Sequence, residues 1–151
     1  MILDERNEFC DATALNTGGA GTYLIGDVMD LGSTGDDIGT GEPLYVVIQV
    51  TTAVTSGGSA TVKFHVASDA VAAIAADGSE TIHSSTNAIA KASLTAGATL
   101  ILPLPAAGSV AYERYLGIEQ VTATAALTAG AVNAFITNEP HSWVAKADAV
   151  N

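Results

Sequence analysis

The sequence predicts an all-β fold, an antiparallel two-sheet sandwich of the jelly-roll type. Three observations predict it. Glycine and proline punctuate the chain at intervals of roughly 10–20 residues, the rhythm of short strands joined by turns. Between them apolar and polar residues alternate with period two, and a helical period is almost absent. Alanine and threonine then occupy both faces of the strand candidates, as expected where each sheet is covered on both sides.

The elements follow in order. Residues 23–31 (YLIGDVMDL) read as a strand interrupted at Gly26-Asp27, and residues 32–41 (GSTGDDIGTG) as a loop. Residues 44–54 (LYVVIQVTTAV) form the strongest strand candidate: Leu44, Val46, Ile48 and Val50 share one face, Tyr45, Val47, Gln49 and Thr51 the other. Residues 60–67 (ATVKFHVA) place Val62, Phe64 and Val66 inward and Thr61, Lys63 and His65 outward. Gly57-Gly58 between the two segments predicts that they pair as a β-hairpin. Residues 69–77 read as a short helical turn, with Asp69 at its N-cap and Gly78 at its C-cap, or equally as a loop. Residues 80–84 and 88–92 are weak strands. Residues 99–104 (TLILPL) belong at a sheet edge because Pro103 cannot donate to a ladder. Residues 114–123 and 131–138 are strands with Thr128-Ala129-Gly130 turning between them. The whole, 1–151, reads as one domain with extended terminal arms at 1–21 and 139–151. Val46, Ile48, Val62, Phe64, Leu116 and Ile118 are the expected core.

Composition narrows the function. Of 151 residues 48% are apolar and only 14% charged, which excludes wholesale disorder. The net charge of −11 has the wrong sign for gripping phosphates or an anionic membrane surface, so neither nucleic acid nor membrane is an expected partner. The first residues carry no basic and apolar leader, which predicts a protein retained where it is made. Cys10 is the only cysteine, so no internal disulfide is expected; with Glu8 and Asp11 close by it reads as an unreactive thiol.

A search for chemistry yields no catalytic, cofactor or metal residue. His65, His83 and His141 sit on separate elements with no H-x-H or H-E-x-x-H spacing, and His65 and His83 read as solvent-facing. No G-x-S-x-G elbow occurs. Asp27, Asp30, Asp36 and Asp37 cluster among glycines, but their spacing does not fit a calcium loop. Gly19-Ala20-Gly21 and Gly39-Thr40-Gly41 do not follow a strand and open a helix, as a phosphate cradle requires. The remaining candidates are contact residues: Trp143, the single tryptophan, as an interface anchor, and Asp36 and Asp37 in the acidic loop.

Several stretches, taken in order, resemble one family: Met1-Ile2-Leu3-Asp4; the run from Asp36-Asp37-Ile38 through Glu42-Pro43-Leu44-Tyr45; Gly57-Gly58-Ser59-Ala60-Thr61-Val62; Leu102-Pro103-Leu104-Pro105; Arg114-Tyr115-Leu116-Gly117-Ile118; and Leu127-Thr128-Ala129-Gly130. They resemble the small capsid cement (decoration) proteins of short-tailed bacteriophages. That resemblance implies a jelly roll without enzymatic activity, placed on the outer face of a phage capsid, with the major capsid protein as partner and virion as location. It also implies a homo-oligomer, dimer preferred over trimer. A jelly-roll module that binds a carbohydrate or receptor from the virion is the alternative, disfavoured by an aromatic content of 5%.

Overall fold

The computed structural model describes residues 5–32, 38, 41–106 and 110–141. Among the described residues nine strands carry the fold: β1 (Glu8–Ala14), β2 (Gly21–Asp30), β3 (Leu44–Thr55), β4 (Thr61–Asp69), β5 (Thr81–Ser85), β6 (Ile89–Ala90), β7 (Thr99–Leu104), β8 (Tyr115–Ala123) and β9 (Ala129–Thr137). Two single 3-10 turns, Glu5–Asn7 and Lys91–Ser93, complete it. One sheet has the order β1-β9-β3-β7. The other runs β2-β8-β4, with β5 and β6 dividing the outer edge of β4 between them. Every pairing is antiparallel.

The pairings are nested. β4 meets β5, β3 meets β7, β2 meets β8 and β1 meets β9, as in one long hairpin rolled over on itself. That wiring makes the sandwich a jelly roll. All six expected core residues are fully buried between the sheets, joined by Phe9, Leu94 and Leu102.

Three expectations are corrected. Residues 44–54 and 60–67 do not form a hairpin: β3 lies in one sheet and β4 in the other, and residues 56–60 turn the corner between them. A tight Gly-Gly corner serves either purpose, and alternation specifies a strand's buried face without specifying its partner. The crossing from β8 in one sheet to β9 in the other is made by residues 124–128, and Ala129 and Gly130, expected in a turn, begin β9. No strand is expected before residue 23, yet Glu8–Ala14, within the stretch read as an arm, forms β1. It is irregular, with two register shifts against β9 and a left-handed Ala12 (φ 45°). The Ala12 amide donates to Asn133 Oδ1 at 2.6 Å, which satisfies the bulged backbone.

β1 and β2 approach closely at Gly26. Its φ of +68° lies in the left-handed region, and a Cβ there would stand 2.0 Å from the Phe9 carbonyl oxygen. Only glycine fits.

The connections divide unequally between the two ends of the sandwich. Residues 15–20, 56–60, 91–98 and 124–128 are at one end; residues 31–43, 70–80 and 105–114 are at the other, with the start of β1 and the end of β9. The first end is laced together. Gln120, buried inside, accepts from the Asn16 amide at 2.7 Å and donates to the Asn16 carbonyl at 2.9 Å. Ser56 Oγ donates to the Ala126 carbonyl at 2.6 Å, Lys91 Nζ to the Ser56 carbonyl, and the Thr128 amide to Thr55 at 2.8 Å.

Candidate functional site

At the long-loop end, side chains rather than backbone ladders make the connections. Residues 69–77, read from sequence as a helical turn or a loop, are a loop. The Asp69 carboxylate organises it, accepting from the Val71 amide at 3.3 Å and the Ala75 amide at 3.0 Å. The loop turns back over the outer face of the second sheet, where Ile74, 4% exposed, seats on Gly117 between Leu24 and Val28. The absence of a side chain at Gly117 makes the notch that receives it.

Two residues along the same face of β8 is Glu119. It is completely buried, and neither carboxylate oxygen has a hydrogen-bond partner among the described residues. His65 on β4 lies directly opposite, with Nδ1 3.6 Å from Glu119 Oε2, beyond hydrogen-bond range. Burial, aided by the neighbouring Glu80 carboxylate, pushes the Glu119 carboxyl up to about 7. Burial, with Lys63 second, lowers the His65 imidazole from its usual range. His65 is therefore not the solvent-facing histidine its alternation predicts; its side chain is 12% exposed.

His83 is also not solvent-facing. Its Nε2 lies 2.7 Å from Ser68 Oγ, and its ring stacks on Tyr112 with centroids 3.9 Å apart. Ser68 is fully buried and its Oγ also accepts from the Glu113 amide at 3.0 Å. A serine–histidine pair of this length suggests nucleophilic chemistry, but the buried Oγ, already bonded on two sides, offers no path to a substrate. The set instead ties β4, β5 and the start of β8 together. Tyr112 Oη completes it by donating to the Pro105 carbonyl at 2.8 Å.

Nearby, Asp30 at the end of β2 holds Arg114 by two hydrogen bonds of 2.9 and 2.8 Å. The guanidinium pulls the Asp30 carboxyl down to about 2. Two adjoining clefts lie along β1 and β2: Glu5, Glu8, Asp11 and Asp27 line the one that Cys10 faces, and Glu5, Arg6, Glu8, Asp27 and Asp30 line the other. Burial, then Asp11 and Glu5, raises the Glu8 carboxyl. Among the described residues no three metal-ligating side chains converge. Cys10 faces the first of these clefts nearly buried; desolvation first, then the carboxylates of Asp27 and Glu8, push its thiol up to about 11.

Of the contact residues expected from sequence, Trp143, Asp36 and Asp37 lie outside the described residues, as does most of the acidic loop. Asp27 and Asp30 are described, on β2, and Asp30 is committed to Arg114. Sequence reading missed Glu119, Ser68 and Tyr112. Only the registers that set Glu119 against His65 and bring Ser68 to His83 reveal them, and those registers belong to strands far apart in the chain.

The chain matches the Bbp16 family over residues 9–136, from β1 to β9. It is a member of the Bbp16 family. The Bbp16 match embraces the whole nested sandwich together with Asp36 and Asp37, and it stops before Trp143. No curated protein matches this Bbp16 chain. Among its described residues no helix is long and apolar enough to cross a membrane.

Proposed function

We propose that this chain is a structural virion protein, a cement (decoration) protein on the outer face of a phage capsid that bridges and stabilises copies of the major capsid protein. The observation that carries the reading is the division of labour in the jelly roll. Three long connections and both ends of the described chain gather at one end, while the opposite end is closed by short, hydrogen-bonded turns. Such a body presents one variable end for contact and keeps the other as scaffold. The ordered motifs that resemble phage cement proteins point the same way. Val71, Ile82 and Val110, all belonging to the long-loop end, are large apolar side chains exposed by 44–56%.

Self-association belongs to the same reading, with a dimer ahead of a trimer, because linked copies hold a shell more tightly than single ones. The net charge of −11 calls for a basic landing site, so added salt slows association. The test mixes undecorated heads with the protein and counts bound copies per particle by electron microscopy. Saturable, symmetry-matched occupancy is expected, reduced near half-saturation for Trp143→Ala, which leaves the sandwich folded. Bare particles at saturating protein overturn the proposal, and equal occupancy for Trp143→Ala removes the tail from it. Light scattering that reports a species of 15.1 kDa at micromolar concentration removes the oligomer.

A further inference from the structure

The Glu119–His65 pair is left unused by the proposed function, yet it is a costly arrangement. A carboxyl group sits fully buried with both oxygens unpartnered among the described residues, and the facing imidazole Nδ1 is unpartnered there as well. Burial of this kind is tolerated only when the group is neutral or paired with an opposite charge. The surroundings supply little else. From β4 come His65 and, farther along the same face, Lys63; from the 70–80 connection comes Glu80, whose charge acts on both members of the pair. On β2 the residue opposite Glu119 is Leu24, and on β5 the residue opposite His65 is Ser85. Asp69 and Asp77 spend their carboxylates on amides and a hydroxyl of the connection itself. Ile74, from that same connection, is seated on this face at Gly117.

We propose that Glu119 and His65 hold a single proton between them, and that sharing it keeps residues 70–80 seated on the sheet independently of pH across the mildly acid to neutral range. With one proton the pair has no net charge, as carboxylic acid beside imidazole or as carboxylate beside imidazolium. When the loop lifts, water reaches both groups and each titrates near its ordinary value, 4.5 for the carboxyl and 6.5 for the imidazole. Between those values the open form also carries one proton, now on His65. Equal proton counts in the two forms leave the opening equilibrium without pH dependence. Each group alone behaves differently. A buried Glu119 with a raised pKa favours closure at low pH and loses that advantage as pH rises towards 7. A buried His65 with a lowered pKa favours closure above 6.5 and loses it as pH falls. The pair sets these opposite trends against each other.

The Ala75 amide, bonded to Asp69 within the connection, reports the opening by hydrogen exchange once the intrinsic rate is divided out. In the wild type, opening changes by less than about threefold between pH 5.5 and 7.5, because the proton counts nearly match. His65→Gln makes opening rise with pH over that interval, at up to about tenfold per unit, the slope of one unbalanced proton. Glu119→Gln makes opening fall as pH rises towards 6.5. Opposite slopes in the two variants support the proposal; a flat response in either, or slopes of one sign in both, overturns it. Joint titration of the wild-type Glu119 carboxyl by carbon-13 and of the His65 imidazole by nitrogen-15 needs no variant: two midpoints spread wider than 4.5 and 6.5 support the pair, and midpoints at those ordinary values overturn it.

Discussion

The two ends of this sandwich are built on different principles. At the short-turn end, backbone and amide groups bond to one another: Gln120 to Asn16, Thr128 to Thr55, and the Val54 amide to Leu94 at 2.9 Å. None of these three bonds involves a charged group; the Lys91 ammonium on the Ser56 carbonyl adds a charged donor beside them. At the long-loop end the ties are the Asp30–Arg114 ion pair, the Ser68–His83–Tyr112 cluster and the Asp69 loop. The comparison teaches that one jelly roll can fix its shape at one end and keep conditional contacts at the other. Stability measured globally reports mainly the first; sensitivity to salt and to strong acid, through the exposed Asp30–Arg114 pair, reports the second.

Substitutions can break or sharpen that contrast. The largest effect is expected from Gly26→Ala, between the ends, where β1 crosses β2. The left-handed backbone and the 2.0 Å approach to the Phe9 carbonyl oxygen together cost about 2–5 kcal/mol, read by denaturant unfolding as one cooperative loss affecting both ends. Gln120→Leu acts on the laced end alone. It removes both bonds to Asn16, whose exposed amide and carbonyl water can then satisfy, and costs about 0.5–1.5 kcal/mol in the same measurement.

Ile74→Ala acts on the other end. It costs less than the roughly 2–5 kcal/mol of a truncated core isoleucine, because residues 70–80 can lift while the sheets stay folded. Limited proteolysis within 70–80 therefore accelerates while the melting midpoint moves little; a large drop in the midpoint instead makes that connection part of the cooperative core. Arg114→Ala gives the smallest effect, since the ion pair is exposed. Its sign with pH is set by Asp30, whose pKa is depressed to about 2. The stabilisation is present above the ordinary carboxylate range and fades as pH falls towards 2, so thermal melts of variant and wild type separate at pH 7 and converge in acid.

Much of this fold is legible in the sequence. The alternation of Val46, Ile48, Val62 and Phe64 places the core, and TLILPL coincides with β7 at an edge of its sheet. The proline-marked edge was readable because proline removes a ladder donor, a local property. Partnership was not readable. The segments on either side of Gly57-Gly58 alternate identically whether they pair with each other or cross between sheets. β1 escaped because EFCDATA has an acidic residue at 8 and 11 and is held by the Asn133 side chain rather than by a regular ladder. The polar interior escaped for a related reason. His65 faces away from the core as its alternation requires, but nothing local announces that a distant loop, seated by Ile74, is packed on the same face.

The nested pairing has a consequence in time. A chain made from its N-terminus exposes β1, β2 and β3 before any of their partners exists. The first pair that can close is β4 with β5, once residue 85 is available; β3 then waits for β7, β2 for β8, and β1 for β9, the last strand. The native order of closure during synthesis thus runs from the middle of the sequence outward. Through most of it the apolar run of β3 stands without its sheet, the condition in which unpaired strands associate with other chains. A nascent chain arrested before residue 129 lacks β9, the strand that joins β1 to β3, and has no route to the first sheet however long it waits.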